Sequence, residues 1–295
     1  MGFLLIGFAM LRGSFPALIT PFTESETVDV ASVTKLFSWH ANQNSAGWVV
    51  LGSTAEALGL NDRERETILQ IAQENLPKDR VIVGIAGAST QAVVHHAKQA
   101  KTYGFNKVLL VTPYYARPSQ EELVRQVEKV VEAVDCAVIV YTVPPRTGVD
   151  YTDETIIRLA HIDGVIGLKD AGADIMRVER IKKQVPSDFS YLSGDDQSTL
   201  LRLFAGGDGV ISVCANVVPD LMQNLCTQAN THAWEEAKHT QALLQPYFEA
   251  MALGGNPAVI KYMAAKKWQF PYHLRAPLGP LPAAICEEIA RVLPA

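Results

Sequence analysis

The sequence predicts an α/β protein, a (β/α)8 TIM barrel with a C-terminal helical extension. Eight short, nearly continuous apolar segments alternate with amphipathic segments between residues 14 and 223, as buried parallel strands alternate with covering helices. The length of 295 residues accommodates one such barrel and an extension. A doubly wound sheet shares this alternation, but no G-x-G-x-x-G motif follows an early strand here.

The predicted strands are short and nearly continuous in apolar residues. In chain order the eight are Phe15–Ile19, Gly47–Leu51, Val81–Ile85, Lys107–Val111, Ala137–Tyr141, Val165–Lys169, Ser190–Ser193 and Gly209–Val213. Apolar and polar residues do not alternate along them, which predicts strands buried on both faces.

Helix signals lie between the strands. Asn61-x-x-Glu64 and Ser119-x-x-Glu122 are capping boxes, which predict helix starts. Gly104 is placed to end a helix that begins near Ser89. Two apolar stripes at helical spacing predict the buried faces of further helices. The stripes are Leu123, Val127, Val130, Val131 and Val134, and Ile175, Val178, Ile181 and Val185.

Three segments divide the chain. Residues 1–10 are apolar, but they are too short to cross a bilayer and lack a basic start and a cleavage site. We therefore expect a disordered or misassigned N-terminal extension there, with a signal peptide as the alternative. Residues 11–223 form the predicted catalytic barrel. Residues 224–295 form a helical domain with helices over 225–253, 257–268 and 281–293.

Composition narrows the functional class. The formal net charge is −5 and no basic block occurs, which argues against a nucleic-acid partner. The four cysteines form no C-x-x-C pair and no His cluster accompanies them, so we expect reduced thiols, no metal site and a cytoplasmic location. No apolar segment is long enough to predict a membrane anchor.

Lys169 closes the apolar segment Val165–Lys169, which is the most informative feature of the sequence. Burial disfavours a charged amine and lowers its pKa from the usual value of about 10.4. A neutral lysine amine is a nucleophile that forms a Schiff base with a carbonyl substrate. The alternative is a strand-end lysine whose amine reaches solvent.

Polar residues follow five predicted strands at their C-terminal ends, where barrel enzymes carry their chemistry. These residues are Gly52–Glu56, Thr112–Tyr115, Tyr141–Gly148, Lys169 and Gly194–Asp196. Structural explanations exist for each group. The Gly52 segment is either a tight turn or a carboxylate cradle of N–H groups and hydroxyls, and Asp195-Asp196 favours a helix cap. Tyr141 either makes a structural hydrogen bond or transfers a proton, and Arg146 is either solvated or binds a carboxylate.

In order and spacing, the chain from about residue 11 resembles the dihydrodipicolinate synthase and N-acetylneuraminate lyase family. The matching segments are Gly52–Glu56, Thr112–Tyr115, Tyr141–Gly148, Gly167–Asp170, Ser193–Asp196 and Gly209–Val213. The resemblance implies the barrel and helical domain described above. It also implies a lyase that uses pyruvate through a covalent Schiff base and needs no cofactor.

The resemblance implies a role for each site residue. Lys169 would form the Schiff base, and Ser53 and Thr54 would bind the pyruvate carboxylate. Thr54, Tyr141 and Tyr115 would form a chain of hydroxyl groups that moves protons, with Tyr115 supplied by a neighbouring subunit. Arg146 would hold the carboxylate of the second substrate, and the backbone at Gly194 and Ile211 would line the pocket. The family is usually tetrameric, so a homo-oligomer, a dimer of dimers, is expected.

The Pro-Pro-Arg-Thr-Gly context of Arg146 resembles the branch that condenses pyruvate with aspartate semialdehyde on the route to diaminopimelate and lysine. Sugar-acid aldolases, such as N-acetylneuraminate or 2-keto-3-deoxy-gluconate lyase, are the alternative within the fold. A non-catalytic barrel that binds a keto acid is the alternative from another class, and the presence of a nucleophile together with proton-transfer residues argues against it. Thr142, Ser53 and Ala55 depart from the usual family residues.

Overall fold

The computed structural model describes residues 10–293, so the predicted N-terminal extension lies outside the described residues except for Met10. Within that range, eight strands form one sheet in the order β1-β8-β7-β6-β5-β4-β3-β2, with every neighbouring pair parallel. A bridge between Ala17 and Val49 links β1 to β2 and brings the two ends of the sheet together. The predicted (β/α)8 barrel is therefore confirmed.

The strands coincide closely with the predicted segments. They are β1 Gly13–Pro16, β2 Trp48–Val50, β3 Val81–Gly84, β4 Lys107–Val111, β5 Ala137–Thr142, β6 Val165–Asp170, β7 Ser190–Ser193 and β8 Gly209–Ser212. The predicted bounds of β1 were wrong: the strand starts at Gly13 because Gly13 and Ser14, which lack apolar side chains, pair with Gly209 and Val210, and it ends at Pro16 instead of Ile19. A Cβ atom on Gly209 would lie 2.1 Å from the Gly13 carbonyl oxygen, so this pairing requires glycine.

Helices follow the strands. They are α1 Val30–Ala41, α2 Asp62–Asn75, α3 Thr90–Thr102, α4 Gln120–Ala133, α5 Pro144–Thr147, α6 Asp153–Ala160, α7 Arg177–Lys182, α8 Thr199–Phe204, α9 Pro219–Asn230, α10 Trp234–Ala252, α11 Ala258–Trp268 and α12 Ala283–Val292. Short 3-10 helices span Ser53–Ala55, Ala57–Gly59, Lys78–Arg80 and Cys214–Asn216.

The predicted helix signals are confirmed where they rest on capping. Asn61 and Ser119 each form a complete capping box, at the starts of α2 and α4. Ser89 caps α3, and Gly104 follows its end with a φ of +85°. The stripe from Ile175 to Val185 yields a shorter helix than predicted, because α7 covers only residues 177–182.

The C-terminal region contains one more helix than predicted. The segment expected as a single helix over 225–253 is divided into α9 and α10, with His232 between them at a φ of +59°. Helix α9 starts before the predicted domain boundary at residue 223 and lies against β1, where the Ser14 N–H donates to Gln223 Oε1 at 2.8 Å. None of the helices in the described range combines the length and apolar character that a bilayer crossing requires.

Two main apolar layers position the site. The larger lies between the strands and the surrounding helices, and the smaller fills the inside of the barrel. The inner layer includes Phe15, Val49, Ile82, Ile139 and Ile211. Because this layer closes the barrel interior, the space available to a small molecule lies at the end where the strands finish.

Candidate active site

Two adjoining cavities of about 360 and 300 Å³ lie at the C-terminal ends of the strands. They share Ser53, Tyr141, Val143, Arg146 and Lys169 among their lining residues. The cavities thus form two lobes of one site, and Lys169 lies where they meet.

Lys169 is the next-to-last residue of β6, and only 5% of it is exposed. Its Nζ lies 4.3 Å from the centre of the Tyr141 ring and makes no hydrogen bond or ion pair with residues 10–293. Burial lowers the pKa of Lys169 to about 8, an effect that the Asp196 carboxylate opposes and the Arg146 guanidinium reinforces. The sequence-based expectation of a buried lysine facing a cavity agrees with this geometry.

Asp170 points away from the cavity because successive side chains of a strand face opposite sides. It is fully buried and accepts hydrogen bonds from the Tyr191 hydroxyl, from Arg202 at 3.3 Å and from the Gly172 N–H at 2.7 Å. Arg177 Nη1 lies 3.7 Å from Asp170 Oδ1. These contacts anchor the end of β6 from behind and so fix the direction of the Lys169 side chain.

Thr142, one of the residues that depart from the family pattern, belongs to the same network. Its hydroxyl donates to Asp150 at 2.6 Å, and Asp150 forms an ion pair of 2.8 Å with Arg177. The end of β5 is thereby tied to the end of β6. The threonine thus contributes a structural contact and does not line either lobe of the site.

Tyr141 is buried at the end of β5, beside Lys169. Burial raises its pKa to about 12, while the Arg146 guanidinium and the polar Ser53 side chain oppose that rise. The hydroxyl is therefore protonated at neutral pH. It can donate a hydrogen bond to a ligand in the cavity that Tyr141 lines.

Ser53 and Thr54 belong to a turn of 3-10 helix that Glu56 ends in the left-handed conformation, at a φ of +54°. Ser53 lines both lobes of the site, and Thr54 lines the smaller one, where its Oγ1 lies 3.2 Å from Asn256 Nδ2. The turn therefore presents two hydroxyl groups beside Lys169.

Arg146 lies on the short helix α5 and lines both lobes of the site. Its Nη2 donates to the main-chain oxygen of Asn256 at 2.9 Å, which leaves donors of the guanidinium available to a ligand. Gly148 ends the helix with a φ of +74°, a conformation that favours glycine. A guanidinium at this position can bind a carboxylate with two parallel hydrogen bonds.

The two predicted capping aspartates have different partners. Asp195 accepts the Ser198 N–H at 2.9 Å, close to the start of α8, as expected of a capping residue. Asp196 instead accepts the N–H groups of Val213 and Cys214 at 3.0 and 2.7 Å. Its other oxygen is shielded from solvent without a hydrogen-bond partner among the described residues. Burial raises the pKa of Asp196, and the two N–H groups stabilise its charged form.

Of the remaining predicted site residues, Gly194 lines the smaller lobe, whereas Ile211 and Tyr115 line neither lobe. Ile211 belongs to the apolar layer inside the barrel, whereas Val213 and Cys214 just beyond β8 line the smaller lobe. Tyr115 is 97% exposed with a φ of +70°, and its neighbour Tyr114 lines the larger lobe. Within a single chain, Tyr115 therefore does not join the residues around Lys169.

Sequence reasoning missed Asn256 and the contacts of Glu56. Asn256 approaches the site from the C-terminal region, and its only local signal was the Asn-Pro pair typical of turns. Glu56 pairs with Lys261, a residue more than 200 positions away. The apolar stretch around Lys261 predicted a helix but did not reveal what the lysine contacts.

No group of three or more His, Cys, Asp or Glu side chains in residues 10–293 is arranged to hold a metal ion. The four cysteines are free thiols. The polar groups around Lys169 are hydroxyl, guanidinium, amide and carboxylate groups, which suit the binding and covalent capture of a small oxo acid.

Comparison with known proteins gives consistent matches. The model of the dihydrodipicolinate synthetase family matches residues 10–295. The 4-hydroxy-tetrahydrodipicolinate synthase of Coxiella burnetii (strain Dugway 5J108-111) is 37% identical over 273 residues, which cover 92% of this chain and 93% of that protein.

Solved structures show the same likeness. The crystal structure of dihydrodipicolinate synthase from Thermotoga maritima has a TM-score of 0.90 and 35% identity, and the match covers 96% of this chain and 97% of that one. The chloride-inhibited dihydrodipicolinate synthase from Acinetobacter baumannii, complexed with pyruvate, has a TM-score of 0.90 and 32% identity, with the same two coverages of 96% and 97%.

Proposed function

This chain belongs to the dihydrodipicolinate synthetase family and is a lyase, and from that premise we propose that it condenses pyruvate with L-aspartate 4-semialdehyde. The product would be 4-hydroxy-tetrahydrodipicolinate, formed with the net loss of one water. This reaction is the entry step to diaminopimelate and lysine. The observation that carries the proposal is the buried, unpaired amine of Lys169 between two lobes of a cavity rimmed by Arg146.

The covalent chemistry begins at Lys169. Its neutral amine attacks the carbonyl carbon of pyruvate, and loss of water gives a protonated imine. The positive nitrogen withdraws electrons, so a methyl proton leaves and an enamine forms. A pKa of about 8 supports this step, because roughly a tenth of such amines are neutral at pH 7.

The enamine carbon then forms a bond with the aldehyde carbon of the second substrate, and the aldehyde oxygen becomes the 4-hydroxyl group. The amino group of that substrate attacks the imine carbon, closes a six-membered ring and releases the Lys169 amine. Arg146 supports this choice of substrate because its guanidinium lines the site and would hold the carboxylate that the aldehyde carries. The turn of Ser53 and Thr54 would hold the pyruvate carboxylate.

Proton transfer needs hydroxyl groups close to the reacting nitrogen. Tyr141 is buried beside Lys169 and Thr54 lines the same lobe, so we assign the proton chain to Thr54 and Tyr141, as the family resemblance implies. The exposed Tyr115 would complete the chain in a neighbouring subunit of a homo-oligomer. This arrangement would pass protons between the imine nitrogen, the aldehyde oxygen and solvent. We also propose that the enzyme acts in the cytoplasm.

The decisive experiment is borohydride reduction in the presence of pyruvate, followed by intact-protein mass spectrometry and peptide mapping. We expect one reduced pyruvate adduct per chain, on Lys169. A folded protein that binds pyruvate without an adduct would instead support the non-catalytic barrel. An adduct on another lysine would refute the assigned nucleophile.

A second experiment identifies the aldehyde. Aspartate semialdehyde, N-acetylmannosamine and glyceraldehyde are each offered with pyruvate, and consumption of the pyruvate adduct is followed. We expect only aspartate semialdehyde to turn over efficiently. Arg146→Ala should lower kcat/KM for this aldehyde by roughly 100-fold, the loss typical of a charged hydrogen-bonding partner, without preventing pyruvate trapping. Turnover of the sugar aldehydes would favour a sugar-acid aldolase.

A further inference from the structure

We infer that Asn256 is a positioning residue of the active site. We also infer that the buried Glu56–Lys261 pair fixes the turn that carries Thr54, the residue that Asn256 contacts. This inference rests on the proposed function, because its effect is expressed in pyruvate capture by Lys169. It assigns part of the active-site geometry to the C-terminal helical region, which supplies neither the nucleophile nor the proposed proton chain.

Asn256 lies just before α11 and contacts two site residues that come from different strands. Its side-chain Nδ2 donates to Thr54 Oγ1 at 3.2 Å, and its main-chain oxygen accepts from Arg146 Nη2 at 2.9 Å. Thr54 follows β2 and Arg146 follows β5, so the two residues belong to different loops of the barrel. Asn256 therefore sets the relative position of the proposed pyruvate-binding turn and the proposed aldehyde-binding arginine.

The donor from Asn256 also orients the Thr54 hydroxyl. While Thr54 Oγ1 accepts from the amide, its own hydrogen is free to point toward a carboxylate in the cavity. Loss of the amide would leave the hydroxyl free to rotate, so that part of the binding free energy would be spent on ordering it. The expected consequence is weaker pyruvate capture without loss of the nucleophile.

Glu56 fixes the turn that carries Thr54. It is buried in the left-handed conformation, and its carboxylate accepts from Lys261 Nζ at 2.6 Å and from the Arg275 N–H at 3.0 Å. Lys261 is only 1% exposed, and its Nζ lies 4.1 Å from the Phe22 ring. Both oxygens of the carboxylate are thus held by the C-terminal region, two residues after Thr54.

The test is a double-mutant cycle between Asn256→Ala and Thr54→Val, measured as the pyruvate concentration that half-saturates borohydride trapping on Lys169. In the wild-type background, Asn256→Ala should raise this concentration roughly 10-fold, the effect of one lost hydrogen bond. In the Thr54→Val background the same substitution should change it less than about 2-fold, because the contact is already absent. Maximal labelling should stay close to one adduct per chain.

Thr240→Ala is the matched control, because it removes a 2.7 Å hydrogen bond to Gln228 between α9 and α10, away from the site. We expect it to lower stability in urea like Asn256→Ala, with unchanged half-saturation by pyruvate. Equal effects of Asn256→Ala in both Thr54 backgrounds, or unchanged half-saturation, would overturn the role of Asn256. Absence of trapping in the wild type would instead refute the proposed function.

A second pair of substitutions tests the turn without leaving a charge buried alone. Glu56→Gln combined with Lys261→Met removes both charges and should fold. We expect half-saturation by pyruvate to rise several-fold in this double variant. Unchanged half-saturation in a folded double variant would confine Glu56 and Lys261 to a structural role.

Discussion

The protein buries two lysines, and the contrast between them shows what distinguishes a nucleophile from a structural cation. Lys169 and Lys261 are 5% and 1% exposed, and burial lowers the pKa of each to about 8. Each amine also lies over an aromatic ring, that of Tyr141 at 4.3 Å and that of Phe22 at 4.1 Å. By burial, pKa and aromatic contact alone the two cannot be told apart.

Their surroundings differ in two respects. Lys261 donates to the Glu56 carboxylate at 2.6 Å and lines neither lobe of the site. Lys169 has no such partner within the described chain, and its amine lines both lobes of the site. A lowered pKa therefore indicates only that burial is costly. The missing counter-ion and the open cavity are what make one amine available for reaction.

The largest expected effect separates the two lysines by reactivity. Lys169→Met should reduce pyruvate trapping by at least about 1000-fold, because no other amine in the site replaces the nucleophile. Lys261→Met should still be trapped on Lys169. The measurement is peptide mapping after borohydride reduction, and an adduct on Lys261 in the Lys169→Met variant would erase the distinction.

The two lysines should also differ in their effect on stability, because here the replacement of Lys261 is the harmful one. Lys261→Met leaves the buried Glu56 carboxylate unpaired and should lower the free energy of unfolding by about 3–5 kcal/mol. The exposed pair of Lys183 and Glu179 is the control, since Lys183→Met should change stability by less than about 0.5 kcal/mol. Urea denaturation at pH 7 measures both, and equal losses would show that burial of the first pair has no energetic consequence.

Removal of the other buried amine should stabilise the protein. The pKa of Lys169 is about 8 when folded and 10.5 ordinarily, a difference that corresponds to a cost on the order of 3 kcal/mol at pH 7. Between pH 8 and 10.5 the unfolded wild type binds more protons than the folded one, so wild-type stability rises with pH. Lys169→Met should therefore be more stable at pH 7, with an advantage that shrinks across this range. A constant difference in urea titrations at several pH values would contradict the lowered pKa.

The smallest expected effect concerns the charge of Asp196, which acts on the pKa of Lys169. Trapping by pyruvate should increase with pH around a midpoint near 8, where the amine loses its proton. Because the Asp196 carboxylate raises this pKa, Asp196→Asn should move the midpoint down by roughly one unit. Asp195→Asn is the control, since Asp195 is bonded to Ser198. An upward shift in the Asp196 variant would mean that its charge does not act on Lys169.

Local sequence patterns predicted most of the fold. The eight apolar segments predicted the strands because parallel barrel strands are buried on both faces. The capping boxes at Asn61 and Ser119 predicted helix starts because both partners lie within four residues. The start of β1 at Gly13 and the break between helices at His232 were missed because a glycine in a strand and a left-handed turn leave no apolar pattern.

The site was predicted less completely than the fold, for a physical reason. Lys169, Tyr141 and Arg146 follow strands, so their positions at one end of a barrel follow from the strand pattern itself. The bonds of Asn256 to Thr54 and of Lys261 to Glu56 join residues more than 200 positions apart. Such contacts depend on how the C-terminal helices pack on the barrel, which no local spacing encodes.

The pairing of the first strand with the last has a consequence for the order of synthesis. Gly13 pairs with Gly209, so the barrel cannot close until about 200 further residues have left the ribosome. At roughly 5–20 residues per second, this takes on the order of 10–40 s, during which β1 lacks its neighbour β8. Asn256 and Lys261 are made later still. The nascent chain therefore carries its reactive lysine well before the residues that complete its binding turn.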